Sequence, residues 1–169
     1  MHALAVITCI CCLAQLGRTE QLPIQSYNAN DGLADNHINR IRQDSRGFLW
    51  FATDGGLSRF DGYTFTNYTS AHGLPHQWVN DIIETHNGDY WIATDGGVCR
   101  FNGSKPSSSS SAFACFSPST SNDSRRVNAL LEERSGLIWC ATYDGIYRLE
   151  ISQTHPIFRH VDIDRKSVV

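Results

Sequence analysis

An excess of positive charge is missing from this chain. Its 14 Lys and Arg stand against 17 Asp and Glu for a formal net charge of −3, so the electrostatic footprint of a nucleic-acid partner is absent. A stretch able to span a bilayer as a helix is missing too. The longest apolar run, Ala3 to Leu16, is too short for that and has the length of a signal-peptide core. Residues 1–22 are therefore expected to be an export leader. Metal-type cysteine spacing is also lacking. Cys9, Cys11 and Cys12 fall in the leader, and Cys99, Cys115 and Cys140 match no zinc pattern. They leave room for one disulfide in an oxidising compartment. No catalytic constellation is present either. His72 and His76 are four apart, but Gly73 and Pro75 break any helix that would bring them together. The sequence predicts no metal, no cofactor and no catalytic residue.

What the chain does have is a repeated segment. Gly47-Phe-Leu-Trp50-Phe-Ala-Thr-Asp54-Gly-Gly returns as Gly88-Asp-Tyr-Trp91-Ile-Ala-Thr-Asp95-Gly-Gly and again as Gly136-Leu-Ile-Trp139-Cys-Ala-Thr-Tyr143-Asp-Gly. Trp50 and Trp91 are 41 residues apart, and Trp91 and Trp139 are 48 apart. Arg59, Arg100 and Arg148, and Gly56, Gly97 and Gly145, recur at fixed places in the same copies. A period near 40 with a tryptophan landmark is the mark of a repeat architecture.

Each copy reads as four short strands. A polar turn ending in Gly47, Gly88 or Gly136 comes first, then the Asp-Gly turn at residue 54, 95 or 144, then Asp61-Gly62 or Asn102-Gly103. Asp-Gly and Asn-Gly favour type I′ hairpins, which need positive φ at both central residues. The second strand, Phe48-Leu-Trp-Phe-Ala, is apolar without alternation, so both of its faces must be covered. Radially stacked four-stranded sheets satisfy that condition, whereas a single sandwich does not. One pair resists a strand reading: Ile38 and Ile41 are three apart, which is a helical spacing.

The expected fold is all-β, an incomplete β-propeller of about three four-stranded antiparallel blades belonging to a larger ring. Blade 1 is read over 23–69, blade 2 over 70–120 with a Ser-rich insertion at 104–111, and blade 3 over 121–152. The insertion falls where the fourth strand of blade 2 is due, and reads as a surface loop or a distorted outer strand. Residues 153–163 read as the start of a further blade. Residues 164–169 match one reading frame of a common sequencing adapter and are expected to be non-native.

The run from Gly32-Leu33 through Gly47-Phe-Leu-Trp50 to Asp61-Gly62, with its second copy from Gly73-Leu74-Pro75-His76, resembles the two-component regulator propeller repeat. The resemblance covers roughly residues 27–150. It implies seven-bladed propellers in the extracytoplasmic, periplasmic sensor region of hybrid histidine kinases. It also implies further blades downstream, an inner-membrane anchor in the intact protein, a homodimeric receptor and, for some members, a small-molecule or saccharide ligand. Three blades cannot close a ring, since propellers use about four to eight.

Within the repeats, the tryptophans read as blade-to-blade packing. The arginines are expected to pair with a turn carboxylate or to cover the neighbouring indole. Asp54 and Asp95 read as turn residues that cap their own backbone. Trp78 stands outside the pattern, and with His76 and Gln77 forms the candidate ligand-binding set, in a loop lining one propeller mouth. Two rivals to a sensor remain: a secreted propeller enzyme, a lyase or glycan hydrolase, and an adhesion propeller with no output domain.

Overall fold

The computed structural model describes residues 23–103, 111–151 and 156–162. The expected leader at 1–22, most of the Ser-rich insertion and the 164–169 tail lie outside them. Blade 1 comprises β1 (Ile38–Gln43), β2 (Leu49–Thr53), β3 (Gly56–Phe60) and β4 (Phe65–Tyr68). Blade 2 comprises β5 (Val79–Glu84), β6 (Tyr90–Thr94), β7 (Gly97–Phe101) and β8 (Phe113–Phe116). Blade 3 comprises β9 (Val127–Glu132), β10 (Ile138–Thr142), β11 (Gly145–Ile151) and β12 (Pro156–His160). Each blade is a separate antiparallel meander in chain order, and the three sheets do not close into a ring. A one-turn helix, α1 (Asn122–Arg125), leads into blade 3. Among the described residues no helix is long and apolar enough to cross a membrane.

One expected boundary moves, and one expected strand is found further along the chain. Residues 156–160 form β12 and pair with β11 from Tyr147↔His160 to Ile151↔Pro156, so they complete blade 3 and do not begin another. A fourth strand hides the otherwise unpaired edge of β11. In blade 2 the fourth strand follows the insertion, with Phe101 opposite Phe113 and Cys99 opposite Cys115. The insertion therefore lengthens the β7–β8 connection and leaves the strand itself regular.

The spacing of Ile38 and Ile41 comes from a β-bulge. Pairing with β2 passes from Ile38 to Arg40 and leaves Asn39 as an extra residue. The same step leaves Asn80 extra in β5 and Asn128 extra in β9. Two residues on the bulged strand oppose one on its partner, so Ile38 and Ile41 need not alternate as a flat strand demands.

The Asp-Gly hairpins are not type I′. Among the described residues none but glycine has positive φ, and in the hairpins after β2 and β6 the left-handed region is entered only at the last turn glycine, with Gly56 at 136° and Gly97 at 134°. A Cβ on Gly97 would lie 2.4 Å from the Phe116 carbonyl oxygen, so β8 can close over the hairpin only if that position is bare. The Thr before the turn holds it: Thr53 Oγ1 donates to the Gly56 carbonyl at 2.8 Å and accepts from the Gly55 amide at 3.2 Å. Thr94 repeats both bonds. Capping of the turn thus falls to the threonine, and Asp54 and Asp95 are left for other partners.

The core lies between blades. Trp50, 1% exposed, has its ring 5.3 Å from Tyr90 and 5.7 Å from Phe101 of blade 2. Trp91 occupies the same place against Leu130, Ile138 and Leu149 of blade 3, in a second buried cluster. The unbroken apolar character of β6 follows, since all five of its residues are buried between two neighbours. Trp139, which faces away from blades 1 and 2, is only half-buried. The β1 strand is exposed throughout.

The recurrent arginines sit directly opposite the tryptophans, as Trp50↔Arg59, Trp91↔Arg100 and Trp139↔Arg148. The Arg59 guanidinium lies 4.7 Å from the Phe48 ring centre and 5.8 Å from Trp50, which is the covering role. Arg148 pairs with Glu150 at 2.7 Å, a strand carboxylate and not a turn one.

Candidate functional site

The residue before each first strand is His37, Trp78 or Arg126, and the β2–β3-type hairpin of the same blade lies beside it. The Asp54 amide donates to the His37 carbonyl at 3.3 Å, and the Asp95 amide to the Trp78 carbonyl at 3.2 Å. These bonds hold both side-chain sets at one end of the first strands, where the blade-entry loops form a mouth.

The turn carboxylates are fully engaged there. Asp54 accepts from Asn39 at 2.9 Å and pairs with His37 Nδ1 at 2.7 Å. Asp95 accepts from Asn80 at 2.8 Å and pairs with Arg126 of blade 3 at 3.2 Å. The Arg126 guanidinium also stacks 4.5 Å from the Tyr143 ring centre. Arg126 therefore bridges two blades beneath the loop carrying Trp78. Asp95 thus ties blade 2 to blade 3, whereas both partners of Asp54 lie in its own blade.

An open cleft of about 560 Å³ lies over that wiring, lined by Pro75, His76, Trp78, Asp95, Arg125 and Arg126 among others. His76 and Trp78 meet edge to face with ring centres 5.5 Å apart, and His76 Nδ1 accepts from the Trp78 amide at 3.1 Å. Trp78 is 42% exposed. Of the three expected ligand residues, the structure brings His76 and Trp78 together in the cleft, while Gln77 is exposed and does not line it. His72 is elsewhere employed: its Nδ1 accepts from the Thr69 amide at 3.0 Å and caps a 3-10 turn. Among the described residues no group of three or more metal-ligating side chains comes together.

The opposite end of the first strands carries a smaller cleft of about 360 Å³, lined by Arg42, Asp44, Glu84, Tyr90, Leu131 and Glu132 among others. It is built on an interface network. Asp44 accepts from Trp50 Nε1 at 2.9 Å and from the Tyr90 hydroxyl at 2.8 Å. Burial pushes the Asp44 carboxyl up, but those two bonds and the Phe48 and Arg46 amides outweigh it and hold the group below its ordinary value. Burial and the bond to Asp44 push the Tyr90 hydroxyl up to about 12. Glu133 repeats the acceptor role for Trp139 at 2.8 Å. Blade 2 has Thr85 in that place, and Trp91 Nε1 is buried without a hydrogen-bond partner.

Asn39, Asn80, Glu84, Glu132 and Arg126 were not among the expected site residues. Recurrence of Asn39, Asn80 and Asn128 at one repeat position was the available signal. The cysteines resolve as a Cys99–Cys115 disulfide between β7 and β8, with Cys140 free and buried.

Residues 32–55, in blade 1, and 73–96, in blade 2, match the family model described as two component regulator propeller. No curated protein matches the sequence. Two extracellular domains of hybrid two component systems from B. thetaiotaomicron share the fold. BT3049 is 24% identical over 84% of this chain and 19% of its own length, with a TM-score of 0.66. BT4673 is 20% identical over 90% of this chain and 20% of its own, with a TM-score of 0.65. A streptogramin B lyase is similar at 15% identity over 77% of this chain and 42% of its own, with a TM-score of 0.56. The chain spans about a fifth of the length of the two hybrid-system domains.

Proposed function

We propose that this chain supplies three blades of an extracytoplasmic sensor propeller in a hybrid two-component receptor, and that its mouth cleft holds a ligand without transforming it. The observation that carries this reading is the exposed Trp78, braced by His76 and set beside Arg125 and Arg126 over carboxylates that are already paired. An indole with one free face and a charged rim suits a small polar ring, with a saccharide the class favoured by resemblance. In the intact, membrane-anchored receptor, ligand binding would favour one arrangement of paired sensors and bias a coupled kinase by population shift. The disulfide fits an oxidising, extracytoplasmic compartment.

The test is titration of the longest gene product carrying these blades with a panel of neutral and acidic oligosaccharides, followed by tryptophan emission and calorimetry. Saturable binding that Trp78→Ala abolishes with unchanged thermal stability supports the reading. Binding that survives Trp78→Ala sinks the cleft assignment. Turnover of any glycan in the panel would instead favour the lyase or hydrolase rival.

A further inference from the structure

Two residues past the hairpin glycine, the third strand faces the fourth through a different pair in each blade. Blade 1 has Ser58 opposite Asn67, blade 2 has Cys99 opposite Cys115, and blade 3 has Tyr147 opposite His160. In blade 1 this pair ties down the blade-entry loop by hydrogen bonds. Ser58 Oγ donates to Asn67 Oδ1 at 2.7 Å and accepts from the Ala34 amide at 3.0 Å. Asn67 Nδ2 donates to the Gly32 carbonyl at 2.8 Å.

Blade 2 keeps the loop and loses both ties. Gly32 and Gly73 end matching 3-10 turns, Ala29–Asp31 and Ser70–His72, with φ of 104° and 100°. Pro75 stands where blade 1 has Ala34, and it has no amide hydrogen to donate. Cys115 Sγ lies 3.5 Å from the Gly73 carbonyl oxygen, but within the bridge it carries no proton. At Gly73 the loop is held instead by the approach to β8. The Ala112 amide donates to the His72 carbonyl at 2.9 Å. A Cβ on Gly73 would lie 2.0 Å from Ser111 Oγ, so the segment entering β8 lies directly on the loop. Leu74 is buried in one cluster with Cys99, and Cys115 packs against that cluster. Just beyond Leu74 the loop presents His76 and Trp78 to the mouth cleft.

We propose that the Cys99–Cys115 bridge is a redox-sensitive latch that sets the pose of the His76–Trp78 loop, and that a dithiol reductant releases it. One thiolate of the dithiol attacks Cys115 Sγ, the half-buried end of the bridge, and Cys99 leaves as a thiolate. The second thiol of the reductant then displaces Cys115 from the mixed disulfide. Two electrons pass to the bridge, and the reductant closes as its own disulfide. The two protons shed by the dithiol complete the Cys99 and Cys115 thiols. The two sulfurs must then part from bonded to non-bonded separation. Cys99 is fully buried in a close-packed cluster with no room to yield. Cys115 therefore takes up the movement, against the Gly73 carbonyl, and displaces the loop. The consequence for ligand capture rests on the mouth reading above, whereas the coupling of bridge to loop does not.

The test is fluorine NMR of the full chain labelled with 5-fluorotryptophan, with dithiothreitol as the reductant. Trp78→Phe identifies the Trp78 signal, and maleimide trapping followed by mass measurement shows whether the bridge is open. Reduction should move the Trp78 signal while that of Trp139, in blade 3, stays, and reoxidation should bring it back. Cys99→Ser combined with Cys115→Asn installs the blade 1 pair, and its Trp78 signal should be indifferent to dithiothreitol. A Trp78 signal that stays in place with the bridge open overturns the proposal. So does a bridge that opens only as the chain unfolds and all four tryptophan signals collapse together. A Ser–Asn variant that still responds overturns it as well, since the reagent then acts elsewhere. No ligand is added, so a negative result here and a failed saccharide titration are separate outcomes.

Discussion

Asn80 donates from one Nδ2 to the Val127 carbonyl in the following blade and to the Asp95 carboxylate in its own, both at 2.8 Å. A single amide thus ties a hairpin turn to a bulge and both to a neighbouring sheet. The tie is consequential because Val127 is fully buried and the bond to its carbonyl is part-buried, so losing the donor leaves a poorly solvated acceptor.

Asn80→Ala should cost about 1–3 kcal/mol, since it leaves the Val127 carbonyl unpaired at the interface. Asn128→Ala, at the same repeat position but exposed, should stay within about 0.5 kcal/mol. Urea unfolding of the two variants side by side checks this. Equal costs would mean that the asparagine acts through the bulge alone and not through the neighbour.

Trp91 Nε1 has no partner, while Trp50 donates to Asp44 at 2.9 Å from the matching place. Thr85→Asp should supply the missing acceptor and stabilise the chain by about 1 kcal/mol. Thr85 also bonds the Asp89 backbone at 3.1 Å. An unchanged or lowered melting temperature would show that losing that turn outweighs the new bond.

Asp44 has a folded pKa below its ordinary value. A carboxyl of that kind contributes stability that is whole above its unfolded pKa, about 3.9, and is lost as pH falls through the folded value. Stability should therefore drop on acidification below about pH 4, and Asp44→Asn should flatten that acid limb while lowering stability at neutral pH. A variant whose acid limb is as steep as the parent's would assign the effect to other carboxylates.

The Cys99–Cys115 bridge spans a sequence separation of 16. Replacing both cysteines with serine should cost about 3 kcal/mol, as expected for a loop of that length. Burial pushes the Cys140 thiol up to about 12, so alkylating reagents should leave it untouched until the chain unfolds. Modification of Cys140 in the native protein would show that blade 3 opens locally.

The blades were legible because their signals are local. Turn chemistry at Gly47 and Gly56, with an apolar strand around Trp50, occurs three times, that at Gly62 twice, and neither needs a partner to be read. The roles of Trp50 and Trp91 followed from that period. The mouth was half legible: Trp78 broke the pattern and drew attention, whereas Gln77 beside it shares the loop but not the cleft. Arg126 carried no signal at all, since its two partners, Asp95 and Tyr143, come from different blades.

By itself the sequence determined the unit: four strands, three turns, two apolar faces and the period that stacks them. Those properties depend on neighbours along the chain, where φ preferences and side-chain alternation act. Only the tertiary structure decided what the repeated polar residues are for. Asn39 and Asn80 carry no assigned role in the sequence, and Asp54 and Asp95 look like caps. Asn39, Asn80 and Asp95 meet partners that a second blade brings within 3.3 Å, and Asp54 meets Asn39 where the bulge has turned its own strand. A hydrogen bond forms at the distance folding creates, and spacing along the chain does not encode that distance.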